Sequence, residues 1–295
     1  MNKIAVVQKE RAFWLDMLII TKPRITGLVV MSTGLGYLLA GGHKGGEFVT
    51  ALLFFTFLVS VGANVLNQYI ERNTDRLMPR TKNRPLPSGR VDPLVALMGG
   101  VACGLAGVWG LYIFANPLSA AMGALVLVSY VGIYTPLKRV TEWNTLVGAV
   151  PGAIPAPLGW VAASGTWNQQ VWVLFLVMYV WQHPHTLSIA WLYREDYKLG
   201  GMRMITVDDP QGQRTSRQLI LYSGLMVLVS LLPTLTGMTG KAYFVGALLL
   251  GAGFFWVVMG MVRHHDNLWA KRLLKTTVYY LPLLLLLMAM DLMPL

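Results

Sequence analysis

Charge is scarce in this 295-residue chain. Charged residues make up 13% of it, against roughly 25% in soluble domains. With 55% hydrophobic residues beside them, so few charges cannot cover the outside of a soluble fold, and the chain reads as an integral membrane protein. Cysteine is scarcer still: Cys103 stands alone in an apolar stretch. That excludes an internal disulfide and a multi-cysteine metal site, and Cys103 is assigned no role. Acidic residues are the third shortage, 13 Asp+Glu against 24 Lys+Arg, for a net charge of +11. In a soluble protein that excess would suggest nucleic acid; in a membrane protein Lys and Arg in cytoplasmic loops account for it, so no nucleic-acid partner is expected. A cleavable signal pattern, an Arg/Ser-rich transit segment, low-complexity sequence and an interdomain linker are all missing. The expectation is one domain over residues 1–295 in a bacterial plasma (inner) membrane.

What is present is a series of apolar runs. A helix needs about 20 mostly apolar residues to span the bilayer, and nine such runs lie near 25–41, 48–70, 93–114, 118–135, 145–163, 170–192, 218–237, 242–262 and 275–293. The shorter run Phe13 to Ile20, followed by Thr21-Lys22-Pro23-Arg24, suits an interfacial lead-in helix. Loop charge tests the count: 22 of the 24 Lys and Arg fall in the N-terminal segment 1–24 and in alternate loops, leaving Lys44 and Lys241 on the other side. The positive-inside rule then predicts an all-α bundle of nine transmembrane helices, N-terminus cytoplasmic and C-terminus outside. The two long polar loops, 71–92 and 193–217, share the cytoplasmic side, which places the chemistry there.

The end of the second span carries the most informative pattern. Asn67, Glu71 and Asp75 recur at i, i+4 and i+8, which stacks three oxygen-bearing side chains on one helix face, while Arg72, Arg76 and Arg80 repeat the spacing one position on. Acids at a membrane helix end are costly unless they serve something. Oxygen donors in a row with flanking cations suit Mg²⁺ carrying a substrate phosphate, since Mg²⁺ takes one or two carboxylates and leaves its other positions to phosphate and water. The alternative is an interfacial helix end laced with Glu–Arg pairs. A second acidic helix end, Tyr193-Arg194-Glu195-Asp196-Tyr197-Lys198, lies at the same level four spans later and hints at a pseudo-repeat.

The stretch Asn67-x3-Glu71-x3-Asp75-x2-Met78-x-Arg80-Thr81-x2-Arg84-Pro85-Leu86 resembles the motif of the UbiA superfamily of intramembrane prenyltransferases, and within it the branch that farnesylates haem. Thr21-Lys22-Pro23-Arg24-Ile25, Tyr134-Thr135-Pro136-Leu137-Lys138-Arg139 with Thr141 and Asn144, and Trp181-Gln182-x-Pro184-His185 followed by Tyr193 to Tyr197 agree with that branch. The likeness covers roughly residues 20–205; the last three spans agree only in hydropathy. Glu71 stands where many members carry Asp, Thr186 where an aromatic is commoner, and Gly200 four residues after Asp196, so the second cluster offers either Glu195 or Asp196 to a metal.

The resemblance implies farnesyl diphosphate as donor, haem B as acceptor and Mg²⁺ held by Asn67, Glu71 and Asp75 with Asp196 or Glu195 opposite. Arg72, Arg76, Arg80, Lys82, Arg84, Lys138 and Arg139 would add positive charge for the diphosphate. An apolar chamber would shield the farnesyl cation from water, with Tyr69, Tyr134 and Trp181 as aromatic faces for the cation, the chain or haem. The vinyl group of haem attacks, and water captures the cation that results. His185 matches a family position and is a candidate haem-iron ligand or proton carrier; His183 does not match, and a buried histidine in an interhelical hydrogen bond is the plainer reading for either. His264 and His265 read as ordinary interface residues, and His43 is assigned nothing. A haem A synthase or terminal oxidase would take the product. Two alternatives stand beside this reading. One is a superfamily enzyme prenylating an aromatic acid or glycerol phosphate; the other is a transporter, whose acids should lie near the bilayer midplane rather than at its cytoplasmic border.

Overall fold

The computed structural model describes residues 13–293; Lys3, Lys9 and Arg11 of the expected cytoplasmic N-terminal segment lie outside them. Apart from a single Thr239–Leu292 bridge, the regular structure among the described residues is helical. Residues 13–20 are helical. They are followed by α1 (Pro23–Leu39), α2 (Gly46–Asp75), α3 (Pro93–Phe114), α4 (Pro117–Leu137), α5 (Asn144–Ser164), α6 (Gln169–Leu192), α7 (Gln213–Leu235), α8 (Lys241–His264) and α9 (Asn267–Met290). Among the described residues, seven of these are long and apolar enough to cross a membrane: α2 to α5 and α7 to α9. The other two differ for visible reasons. α1 has 17 residues, and α6 interrupts its apolar run with Gln182, His183, Pro184 and His185.

The helix starts follow local sequence grammar. Asp92, Asn116, Asn168 and Asp266 each accept a backbone N–H of the following turn, and Pro93 and Pro117 occupy first-turn positions where a missing N–H costs nothing. α9 departs most from the hydropathy boundaries, starting at Asn267 rather than 275, but the departure that shapes the site is in α2. It runs five residues beyond the apolar stretch, to Asp75, so Asn67, Glu71 and Asp75 sit on one continuous helix.

Sequential helices pack as antiparallel neighbours, α2 closely on α3. α1 packs against α2 and against the second half of α5, while α9 packs on α6 and touches α1. Small residues permit the closest of these approaches. A Cβ at Gly36 would run into the Ala156 carbonyl, and one at Gly159 into the Thr33 carbonyl, so α1 and α5 meet backbone to backbone. Breaks in two helices shape the interior. α5 turns through Ala153-Ile154-Pro155, and α4 passes through a π-helical segment, Val128–Tyr134, before ending at Leu137. Between α1, α2, α4, α5 and α6 lies a cavity of about 340 Å³.

Candidate active site

The acidic column meets a set of cations from other elements. Asn67, Glu71 and Asp75 are all buried. Lys138, just past α4, donates from Nζ to Glu71 Oε1 at 2.8 Å, and Arg84 donates from Nη1 to Asp75 Oδ2 at 2.9 Å. The second contact is possible because the 76–84 loop folds back on the helix end: Thr81 Oγ1 donates to the Asp75 carbonyl at 2.9 Å, and Met78, Thr81, Pro85 and Leu86 are buried. Asn67 meets a cation from before α1, as Lys22 Nζ donates to its Oδ1 at 3.1 Å. Its amide donates to Thr135 Oγ1 at 3.0 Å. Burial, then the Arg84 and Lys138 cations, push the Lys22 ammonium down to about 7. Burial acts against charge on Lys138 too, but its Tyr134 and Glu71 neighbours outweigh it and hold its pKa well above the ordinary lysine value.

The second acidic helix end faces the same loop. Asp196, in the six-residue helix Arg194–Leu199, accepts the Arg80 backbone N–H at 3.3 Å and lies 3.9 Å from Arg80 Nε. Glu195 is exposed and lies 4.0 Å from Arg194. The other cations diverge. Arg72 donates to the Tyr69 carbonyl at 2.6 Å with its guanidinium over the Tyr69 ring, and Arg76 donates to the Pro87 carbonyl at 2.8 Å. Lys82 and Arg139 are exposed. The structure thus brings Asn67, Glu71, Asp75, Arg84 and Lys138 together, sets Arg80 and Asp196 at the rim, and leaves Arg72, Arg76, Lys82, Arg139 and Glu195 away from the column.

The donor set fits a hard cation. Side-chain oxygens of Asn67, Glu71 and Asp75 recur along one face of α2, and a hard divalent ion takes oxygen. Among the described residues no three His, Cys, Asp or Glu side chains already converge as a metal centre. Mg²⁺ does not require that, since phosphate and water complete its shell.

Below the column lies the cavity. The π-helical turn of α4 brings both Tyr130 and Tyr134 into its lining; Thr135 Oγ1 closes that turn on the Tyr130 carbonyl at 2.7 Å. Gly148 makes room, since a Cβ there would strike the Tyr134 ring. Lys138 Nζ stands 4.5 Å from the centre of that ring, which links the cavity roof to the acidic column. Tyr197 also lines the cavity, and burial raises its phenol pKa.

On the α6 wall, His185 lines the cavity and stacks on Trp181, with ring centres 4.9 Å apart. Both are tied to α9: Trp181 Nε1 donates to the Thr277 carbonyl at 2.8 Å, and His185 Nδ1 lies 2.9 Å from Thr277 Oγ1. Thr277 gives its hydroxyl proton to the Leu274 carbonyl at 2.7 Å, so it must accept from the ring. That fixes Nδ1–H and leaves a lone pair on His185 Nε2. His183 is turned elsewhere, its Nδ1 on the Tyr179 carbonyl at 2.9 Å and its ring stacked on Tyr222 of α7. His264 stacks on Trp269, and His265 bonds Ser216 at 2.7 Å. Tyr69 does not line the cavity; its ring lies under Arg72.

Sequence reasoning missed four residues. Lys22 carried one signal, a lysine directly before the proline that opens a span. It adopts φ 51°, uncommon outside glycine and often found at functional sites. Tyr130 was hidden because an α-helical wheel does not anticipate a π-turn, and Tyr197 because it follows the span end. Thr277 sits in an ordinary apolar helix and had no signal.

The profile of the UbiA prenyltransferase family matches residues 29–287. A protoheme IX farnesyltransferase of Solibacter usitatus (strain Ellin6076) is 44% identical over 287 residues, covering 94% of this chain and 98% of that protein. One of Salinibacter ruber (strain DSM 13855 / M31) is 42% identical, with the same two coverages. Among solved structures, a digeranylgeranylglyceryl phosphate synthase aligns with TM-score 0.77 at 16% identity, over 95% of this chain and 98% of that one. A UbiA homologue from Archaeoglobus fulgidus bound to DMAPP and Mg²⁺ aligns with TM-score 0.66 at 13% identity, over 92% and 99%.

Proposed function

The chain belongs to the UbiA prenyltransferase family, and from that premise we propose that it transfers the farnesyl group of farnesyl diphosphate to a vinyl group of haem B, with water addition, to give haem O and diphosphate. The observation that carries the reading is the stacking of two sites in one bundle: an acidic column ringed by cations above a cavity that presents His185. Relatives of 44% and 42% identity over nearly the whole chain point to the same acceptor. The acids lie at a helix end rather than midway along the helices, which argues against a transporter.

Asn67, Glu71 and Asp75, with Asp196 from the facing loop, would hold Mg²⁺, which neutralises the diphosphate and improves it as a leaving group. Lys138, Arg84 and Lys22 then exchange carboxylate and amide partners for phosphate oxygens, Arg84 as a two-pronged donor and the lysines as point charges. Tyr130 and Tyr134 line the cavity below Lys138 and present ring faces to positive charge left on the allylic carbon as its bond to oxygen breaks. Val59, Ala63, Val126 and Leu158 supply apolar wall for the prenyl chain and exclude bulk water.

Nine spans with the N-terminus cytoplasmic complete the reading, α1 and α6 joining the seven helices long and apolar enough to cross a membrane. Both pack against their neighbours, α1 on α2 and α5 and α6 on α5, α7 and α9, and the distribution of Lys and Arg supports a cytoplasmic position for the acidic column in a bacterial plasma membrane.

The test uses membranes containing the full chain, supplied with haem B, farnesyl diphosphate and Mg²⁺, with mass spectrometry for a farnesylated haem. The expected product disappears with EDTA and returns with Mg²⁺. Prenylation of an aromatic acid or a glycerol phosphate in its place would keep the diphosphate site and overturn the acceptor.

A further inference from the structure

One wall of the cavity is polar in a region where polarity is expensive. Thr56, Ser60 and Asn64 recur at i, i+4 and i+8 on α2, all three line the cavity, and all three are buried. Pairing of α1 with α2 accounts for part of this. Ser60 Oγ donates to Thr26 Oγ1 at 3.3 Å, Asn64 Nδ2 donates to the same oxygen at 3.2 Å, and Thr26 passes its own proton to the Thr21 carbonyl at 2.8 Å. Helix pairing does not account for what is left over. Among the described residues the hydroxyls of Thr56 and, across the cavity on α5, Thr145 are buried without a partner, and the side-chain hydrogen bonds of Asn64 run through its amide nitrogen to Thr26 and Ser60, none through Oδ1. Thr56 and Thr145 are 3% and 8% exposed. Buried polar groups are almost always paired, and a polar cavity with room for a water molecule and several such groups holds water.

The depth of this wall matches a step of the reaction. Asn64 lies three residues below Asn67, about 4.5 Å along the helix axis, so it is the first cavity-lining polar side chain of α2 beneath the acidic column. An acceptor carbon bonding to the first carbon of the prenyl chain must sit just under the diphosphate. The adjacent carbon, which becomes cationic, then lies at the level of Asn64.

Resting on the haem-farnesylation reading above, we propose that Asn64 and Ser60, supported by Thr56, position the water molecule that captures the acceptor's carbocation. The step balances as follows. The terminal vinyl carbon gives its π electrons to the first carbon of the farnesyl chain as that carbon's bond to oxygen breaks, and diphosphate departs with the electron pair. The inner vinyl carbon is left cationic. The held water donates a lone pair to it and forms the carbon–oxygen bond. His185 Nε2, kept unprotonated by the Nδ1–H bond to Thr277, takes the proton released. Asn64 Oδ1 fits the water-holding role because it only accepts, which turns the water's hydrogen toward the amide and its lone pairs toward the cation. Without a held water the same cation loses a proton from the newly bonded carbon and yields an alkene lighter by one water molecule. Asn64 and Ser60 are therefore positioning residues that decide which product leaves.

The experiment compares the full-length wild type with Asn64→Leu, Ser60→Ala and Ser60→Thr in membranes given haem B, farnesyl diphosphate and Mg²⁺. Mass spectrometry reads the ratio of hydroxylated to dehydrated farnesyl haem. The dehydrated fraction should rise about tenfold in Asn64→Leu and Ser60→Ala, as expected for loss of one well-placed hydrogen bond, and Ser60→Thr, which keeps the hydroxyl, should restore the hydroxylated product. A mere packing defect would slow both products together and leave the ratio unchanged. An unchanged ratio in a chain that makes farnesylated haem overturns this inference alone, and Ser60→Ala decides the matter if Asn64→Leu does not fold. A wild type that makes no farnesylated haem overturns the underlying reading and this one with it.

Discussion

The column at the end of α2 and the cavity beneath it solve opposite problems. In the column, charges are buried in pairs: Glu71 with Lys138, Asp75 with Arg84. Each partner comes from a different loop, so the folded chain neutralises its own acids. In the cavity there is no charge to neutralise, only amides, hydroxyls and an imidazole, two of the hydroxyls buried without a partner. The difference teaches where work is done on ions and where on carbon. A buried ion pair is a poor source of stability, because desolvation offsets attraction, but it is a ready exchange site for a metal and an anion that bring charges of their own. A neutral polar wall cannot activate a diphosphate, yet it can hold one water without attracting many.

The largest effect should come from breaking the column. Asp75→Asn keeps the shape and removes one carboxylate, and should cost at least about 10²-fold in turnover, while the protein still inserts in the membrane and purifies intact. Near-normal turnover would show that Asp75 does not serve the metal. Next in size is the cation exchange. Lys138→Gln leaves Glu71 buried without its partner and should raise KM for the prenyl diphosphate about thirtyfold. The neighbouring Arg139→Gln should change it less than about twofold, because Arg139 is exposed. Equal effects at the two positions would erase the distinction drawn between them. Lys22→Met tests a residue that reaches the column from outside its own helix; a rise in KM of about tenfold is expected with kcat little changed.

Among the residues that join the site, Thr277→Val should have the smallest effect, and it sharpens the other half of the comparison. It removes the acceptor that sets the His185 tautomer and should lower kcat about fivefold, one ordinary hydrogen bond, with KM for the diphosphate unmoved. Parallel changes in both constants would mean that α9 supports the bundle rather than the imidazole.

Much of this was legible before folding. The i, i+4, i+8 spacing of Asn67, Glu71 and Asp75 dictates a shared face on any helix, so the column follows from local geometry alone. The flanking cations were legible as a class but not as individuals. Arg72 and Arg76 lie closest to the acids in sequence, yet they bond to the Tyr69 and Pro87 carbonyls, while Arg84, nine residues from Asp75, turns back to it. A guanidinium's reach depends on loop conformation, which spacing does not encode. Composition likewise reported apolar spans wherever residues face lipid. α6 was legible as a span too, at 170–192, although Gln182 and His185, polar residues that interrupt its apolar run, line the cavity.

The sequence by itself determined the solvent, the helical class, the sidedness of charge and the column of oxygen donors, because each depends on composition or on spacing within one helix. Tertiary structure decided which cations reach that column, that Lys22 and Thr277 join the site from residues distant in sequence, and that Tyr130 lines the cavity. It also set His185 apart from His183. Those assignments depend on contacts between segments far apart in the chain, and on a π-turn that rotates side chains away from α-helical positions; both are properties of the packed bundle.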